Sequence, residues 1–146
     1  MQNKILIISA ISWLVAGVLK VIVEIRVNHS FDLKRIIGAG GMPSSHTATV
    51  VALMVTTSYI QGMNSAEFAI SFIFAIVVIH DAVGVRYETG EQAKVINKIL
   101  ENPIFATSDE EFERRLKEYV GHTPFQVVVG AMVGLIVSII GIMVIK

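Results

Sequence analysis

The chain alternates long apolar stretches with short polar ones. Four stretches are long enough to cross a bilayer as helices, since about 20 apolar residues span the hydrocarbon core. They lie at about 5–25, 44–62, 67–85 and 123–145. The segment 86–121, between the last two, holds 14 of the 24 charged residues. This pattern predicts one membrane domain over 1–146, an all-α helical bundle with about four transmembrane helices and a short amphipathic helical insert at 86–121.

The insert carries two signals for helix starts. A hydroxyl residue followed three positions later by Glu or Gln is typical of a capping box. The insert contains two such pairs, Thr89 with Gln92 and Ser108 with Glu111. We therefore expect two short helices, at about 90–101 and 109–120.

Composition strengthens the membrane assignment. Hydrophobic residues make up 53% of the chain and charged residues 16%, against about 25% charged in soluble domains. The formal net charge is zero, so we expect no nucleic-acid partner. The absence of Cys excludes disulfides, thiolate zinc sites and thiol catalysis.

The basic residues are distributed unequally across the predicted bilayer. Two, Lys4 and Lys146, flank the spans on one side. Nine flank them on the other: Arg26, Lys34, Arg35, Arg86, Lys94, Lys98, Arg114, Arg115 and Lys117. Because basic loops stay in the cytoplasm, we expect an integral protein of a bacterial plasma membrane, with both termini outside and the charged loops facing the cytoplasm.

Polar residues gather at this cytoplasmic end. In an up-and-down bundle, the end of one span and the start of the next lie at the same surface. This surface receives Lys20 and Arg26 from span one, 40–46 from span two, Asp81 and Arg86 from span three, and 122–126 from span four. Ionisable groups near the membrane that collect at one place indicate a functional site.

The chemistry of these residues favours a phosphate-like anion. Helix starts offer backbone N–H groups and a positive dipole end to anions, and two imidazoles can divide the roles of nucleophile and general acid. The anion-binding candidates are Lys20, Arg26, Gly41, Ser44, Ser45 and Arg86, the catalytic candidates are His46, His122 and Arg86, and the supporting candidates are Asp81 and Gln126. No spacing among the histidines and Asp81 is diagnostic of a metal, so we expect no cofactor, with vanadate acting only as a phosphate mimic.

Each candidate also has a plainer interpretation. Either histidine could be an ordinary helix cap, and Lys20 could extend its amine to the membrane surface. Arg86 and Asp81 could form a purely structural ion pair, and Gln126 could serve only a capping box. The Gly130-x-x-x-Gly134 pattern indicates close helix packing.

Three segments carry a recognisable pattern: Gly-Gly-Met-Pro-Ser-Ser-His at 40–46, Asp-Ala-Val-Gly-Val-Arg at 81–86, and Gly-His-Thr-Pro-x-Gln at 121–126. They resemble a family of small membrane proteins described as acid phosphatase/vanadium-dependent haloperoxidase-related, a divergent branch of the type 2 phosphatidic acid phosphatase superfamily. The resemblance implies that His122 is the nucleophile, that His46 is the general acid, and that Ser44 and Ser45 bind phosphate oxygens.

The chain also departs from the superfamily pattern. Gln126 stands where the superfamily has an Asp, Leu116 stands in place of an Arg six residues before His122, and no Pro follows Arg26. Arg86 is the stand-in for the missing Arg. A neutral Gln can orient an imidazole but does not stabilise its charged form as a carboxylate does.

Two functions follow from these residues. The first is a membrane-embedded phosphatase that hydrolyses a lipid phosphomonoester or diphosphate through a phosphohistidine. The alternative is a non-catalytic membrane protein that binds a phosphorylated lipid or ligand in a degenerate phosphatase site. The expected partner is a membrane lipid or lipid phosphate, and the sequence leaves a homo-oligomer open. A transporter is disfavoured because the polar residues lie at one surface rather than at the midplane.

Overall fold

The computed structural model describes residues 3–28, 41–101, 116 and 122–144. Within these residues the regular elements are all helices, which confirms the all-α class. The five helices are α1 (Lys4–Asn28), α2 (Ser45–Gln61), α3 (Ala66–Val83), α4 (Val85–Leu100) and α5 (Pro124–Val144).

Helix α2 lies at the centre and packs against α1, α3 and α5. Its buried side is made of small residues and threonines, including Ala48, Ala52 and the fully buried Thr47 and Thr56. Small residues let helix backbones approach closely, which is how helices associate in membranes. The central helix is therefore the least apolar of those at the predicted spans, because its neighbours shield its hydroxyl groups from lipid.

Three helices of the described residues are long and apolar enough to cross a membrane: Lys4–Val27, Ala66–Leu100 and Pro124–Val144. Helix α2 has 17 residues, a length of about 25 Å at 1.5 Å per residue. It thus stands at the lower end of the spanning range of about 17–25 residues. Length and composition alone identify three of the four predicted spans.

Two glycines of α5 allow it to contact α2 directly. A Cβ atom on Gly130 would lie 2.5 Å from the carbonyl oxygen of Ser44, and one on Gly134 would overlap the carbonyl oxygen of Ala48. The expected close helix packing is confirmed. Because Gly130 meets the residue that precedes α2, this packing holds the start of α5 beside the start of α2.

Helix α4 continues directly from α3, and the predicted capping box at Thr89 is wrong. The N–H of Gly84 donates to the carbonyl of His80 at 2.8 Å, and the carbonyl of Gly84 accepts from the N–H of Glu88 at 3.0 Å. Gly84 thus ends the hydrogen-bond ladder of α3 and begins that of α4. Thr89 lies inside α4, where its hydroxyl donates to the Val85 carbonyl at 2.8 Å. A Thr and a Gln three residues apart are compatible with a helix interior as well as with its start.

The helix starts nearest the candidate site are capped by side chains. The Ser44 hydroxyl accepts from the N–H of Thr47 at 3.3 Å and so caps α2. The expected capping box at Thr123 and Gln126 is present at the start of α5, with reciprocal hydrogen bonds of 3.2 and 3.4 Å. Apart from Leu116, the predicted helix at about 109–120 lies outside the described residues, as do Gly40, Lys34 and Arg35.

Candidate functional site

Four helices meet at one end of the bundle, where the sequence places its polar clusters. The contacts tie the C-terminal parts of α1 and α3 to the N-terminal ends of α2 and α5. They are the hydrogen bonds Lys20 Nζ to Ser45 Oγ (3.5 Å), Ser44 N–H to the Gln126 carbonyl (3.2 Å) and His122 N–H to the Ala82 carbonyl (3.2 Å).

This end of the bundle contains a cavity of about 190 Å³. The volume is far above the 10–15 Å³ or so that one water molecule needs. Its polar lining residues come from α2, α3, α4 and the residue pair before α5. We call it the histidine cavity, and the residues that line it are His46, Val77, Val78, Asp81, Ala82, Arg86 and His122.

His122 is held in one tautomer by its neighbours. The side-chain oxygen of Gln126 lies 3.2 Å from His122 Nδ1 and also accepts the backbone N–H of Thr123 at 3.2 Å. Because a backbone N–H can only donate, it identifies the amide oxygen as the atom at this position. An amide oxygen can only accept, so Nδ1 carries the proton. Nε2 therefore keeps its lone pair, as a nucleophile requires.

The setting of His122 favours its neutral form. Burial is the main effect that lowers the pKa of His122 below its usual 6.5, and the hydrogen bond with Gln126 opposes it. The positive charges of Lys20, His46 and Arg86 lower the pKa further. His122 is 2% exposed, so water stabilises an imidazolium poorly there. Near neutral pH this histidine is an unprotonated base.

We expect NMR titration of labelled His122 to show a midpoint below pH 6.5, the usual value from which its pKa is lowered. A Gln126→Glu variant keeps the acceptor for Thr123 and adds a negative charge, so the midpoint should rise. The lowered pKa of His122 also makes the stability of the protein depend on pH. The unfolded chain binds the proton more readily below pH 6.5, so the contribution of His122 to the free energy of unfolding decreases as the pH falls. A wild-type midpoint at or above 6.5 would contradict this account.

Arg86 reaches the cavity as part of an ion pair. Its Nε lies 2.5 Å from Oδ2 of Asp81, and the two side chains are 43% and 38% exposed. Partly exposed pairs contribute only about 0–1 kcal/mol to stability. The pair is better understood as a device for orientation: Asp81 uses one of the five donor hydrogens of the guanidinium and holds the planar group in place.

Lys20 is buried at 2% exposure, so its amine does not extend to the surface. Its aliphatic stem passes beside Gly41, where a Cβ atom would lie 3.3 Å from Lys20 Cγ. Gly41 also has a φ of 80°, which favours glycine. The lysine charge thus lies beneath the start of α2, next to the Ser45 hydroxyl.

The structure does not bring every predicted site residue to the cavity. Among the described residues, its lining does not include Lys20, Gly41, Ser44 or Ser45. Ser44 is fully buried and its hydroxyl also accepts from the hydroxyl of Thr47 at 2.9 Å. Arg26 is exposed near the end of α1 and lies outside the lining as well.

Two residues that hold the site in place were given no role from the sequence. The Ala82 carbonyl holds the backbone of His122, and no side-chain pattern reveals such a contact. Asn97 is a buried polar residue of α4 with a specific partner. Its signal was a position on one helix flank with Gly90 and Ala93, at i, i+3 and i+7.

The fold and the cavity define a class: an integral helical membrane protein with two histidines and an arginine at one end of the bundle. The chain belongs to the divergent PAP2 family, whose model matches residues 1–137. It is 36% identical over 149 aligned positions to the uncharacterized membrane protein YuiD of Bacillus subtilis (strain 168), covering 96% of this chain and 94% of the relative. No solved structure matches the chain.

Proposed function

We propose that this protein is a membrane-embedded phosphatase that hydrolyses a lipid phosphomonoester or diphosphate through a phosphohistidine at His122. The observation that carries the proposal is the histidine cavity, where His46, Arg86 and His122 line one volume large enough for a phosphate group. A nucleophile, a proton donor and a cation around one anion site are the parts that phosphoryl transfer needs.

In the proposed first step, Nε2 of His122 attacks phosphorus while the bond to the leaving oxygen breaks. His46 gives its proton to that oxygen, and the alcohol or phosphate leaves. The Nδ1 proton of His122 stays in the hydrogen bond to Gln126, which stabilises the charge that develops on the ring. Arg86 holds the equatorial oxygens as their charge is redistributed.

In the second step, water attacks the phosphohistidine and transfers a proton to His46. The P–N bond breaks, inorganic phosphate leaves, and both histidines return to their starting states. Lys20 contributes through its positive charge beneath the start of α2, and Ser45 accepts its hydrogen bond. The phosphate-binding roles of Ser44 and Ser45 stay predictions from the resemblance, and those of Gly41 and Arg26 stay predictions from the sequence.

The surface of α3 supports a lipid substrate. An apolar groove on this helix is lined by Ala69, Ile70, Ile73, Phe74 and Val77. Val77 also lines the histidine cavity. Asp81 follows Val77 by four residues and so lies on the same helix face. A lipid phosphate in the cavity could keep its tail in this groove, in contact with the bilayer.

The proposal is tested by phosphate release from phosphatidate or an isoprenyl diphosphate in detergent micelles. We expect turnover by the purified protein, inhibition by vanadate, which mimics the trigonal bipyramidal transition state, and no loss on addition of EDTA. A soluble aryl phosphate should be hydrolysed with a higher KM because it lacks a tail. Failure to release phosphate from any of these substrates would count against the proposal.

A second function is favoured by Gln126. Its amide is neutral, so it orients His122 without the charge that a carboxylate would supply, and an orienting carboxylate is worth about 10⁴-fold in kcat in serine proteases. The protein would then bind a phosphorylated lipid without hydrolysing it. Binding of phosphate analogues without turnover, retained in His122→Ala and lost in Arg86→Ala, would select this function.

A further inference from the structure

We infer that Asn97 is a positioning residue that fixes Leu116, six residues before His122, against the helix that carries Arg86. The inference rests on the proposed function for its effect on turnover. The contact itself is independent of any activity.

The Asn97 side chain makes two hydrogen bonds to the backbone of one residue, Leu116. Its Nδ2 donates to the Leu116 carbonyl at 2.9 Å, and its Oδ1 accepts the Leu116 N–H at 3.0 Å. Asn97 is 4% exposed. Two hydrogen bonds from one planar group fix both the position and the orientation of the residue they hold.

This contact requires an amide. Asp offers no hydrogen to the Leu116 carbonyl, and Ala offers neither a donor nor an acceptor. The neighbouring buried positions on the same flank of α4 are Gly90 and Ala93. Asn97 is thus the polar member of a buried flank that otherwise consists of small residues.

The pairing affects the site because Leu116 is close to His122 along the chain. Six residues can span at most about 20 Å. At its far end, the His122 N–H is held by the Ala82 carbonyl at 3.2 Å. The anchor points, Ala82 on α3 and Asn97 on α4, flank Arg86 along the chain. Loss of the Asn97 anchor therefore leaves His122 without the fixed point at Leu116, while Arg86 stays in place.

The test compares Asn97→Ala and Asn97→Asp with Gln92→Ala, a control on the exposed side of α4. We expect the Leu116 amide to exchange with solvent slowly in the wild type and at least tenfold faster in Asn97→Ala. The His122 NMR titration should move toward 6.5 as the ring loses its fixed setting. If the protein is a phosphatase, kcat should fall by up to about 10²-fold, as expected for a misplacement of about 1 Å, with a smaller change in KM.

Amide exchange and the His122 titration need no turnover, so they separate failure of this inference from failure of the proposed function. Asn97→Asp keeps the acceptor for the Leu116 N–H and is the milder variant if Asn97→Ala does not fold. A thermal unfolding midpoint close to that of Gln92→Ala shows that the changes are local. Rapid exchange of the Leu116 amide in the wild type, or an unchanged His122 titration in a folded Asn97 variant, would overturn the inference.

Discussion

Replacing His122 by alanine is expected to lower kcat for phosphate release by about 10⁴-fold or more. The imidazole is the proposed nucleophile, and loss of the nucleophile from a serine protease costs about 10⁶-fold. The variant keeps its backbone hydrogen bond to Ala82, since that bond uses the His122 N–H. Vanadate affinity should fall less than kcat, because Arg86 and His46 still line the cavity.

The matched control is His80→Ala, which removes another histidine from the same end of the bundle. His80 is exposed and does not belong to the described lining of the histidine cavity. Its carbonyl, which accepts from Gly84, is unaffected by the substitution. Activity should stay within a factor of about two. Equal losses in the two variants would mean that the effect is structural.

Replacing Arg86 by alanine is expected to lower kcat/KM by about 10²–10³-fold, the range for the loss of one well-placed charge-stabilising donor. Arg86→Lys should recover only part of this loss. A lysine carries the charge but not the planar fork that can hold Asp81 and a phosphate oxygen together. The measurement is kcat/KM with a lipid phosphate, together with the inhibition constant for vanadate.

Two further variants separate charge from position. Lys98→Ala removes a cation from the exposed side of α4 and should leave kcat/KM near the wild-type value. Asp81→Asn keeps the shape of the partner of Arg86 but removes its charge, so we expect an intermediate loss. If Arg86→Ala behaved like Lys98→Ala, the guanidinium would have no role in binding the phosphate.

Much of the fold was accessible from the sequence because it depends on local signals. Apolar length predicted long helices at the spans, the capping box at Gln126 predicted the start of α5, and Gly130 with Gly134 predicted its packing face. Each of these signals acts within one helix. The junction at Gly84 was missed since the polar run after it predicted a loop there, whereas this one residue both ends the hydrogen bonds of α3 and begins those of α4.

The candidate site was only partly accessible. Topology brought His46, Arg86 and His122 to one end, as expected for residues at corresponding span ends. It could not show that the Ser44 hydroxyl is used to cap α2 or that Arg26 stays at the exposed end of α1. Those outcomes depend on side-chain direction and on which hydrogen bonds compete, and spacing along the chain does not determine either. The pairing of Asn97 with Leu116 is a contact across 19 residues, so the position of Asn97 on its helix flank does not reveal its partner.

The most direct test of the central claim is to trap the phosphoenzyme. Purified protein is mixed with a ³²P-labelled lipid phosphate, quenched in alkali during turnover, digested and mapped. The account predicts a label that is stable in alkali, labile in acid and located on His122, with none in His122→Ala. Turnover without any such label on His122, or turnover retained by His122→Ala, would contradict it.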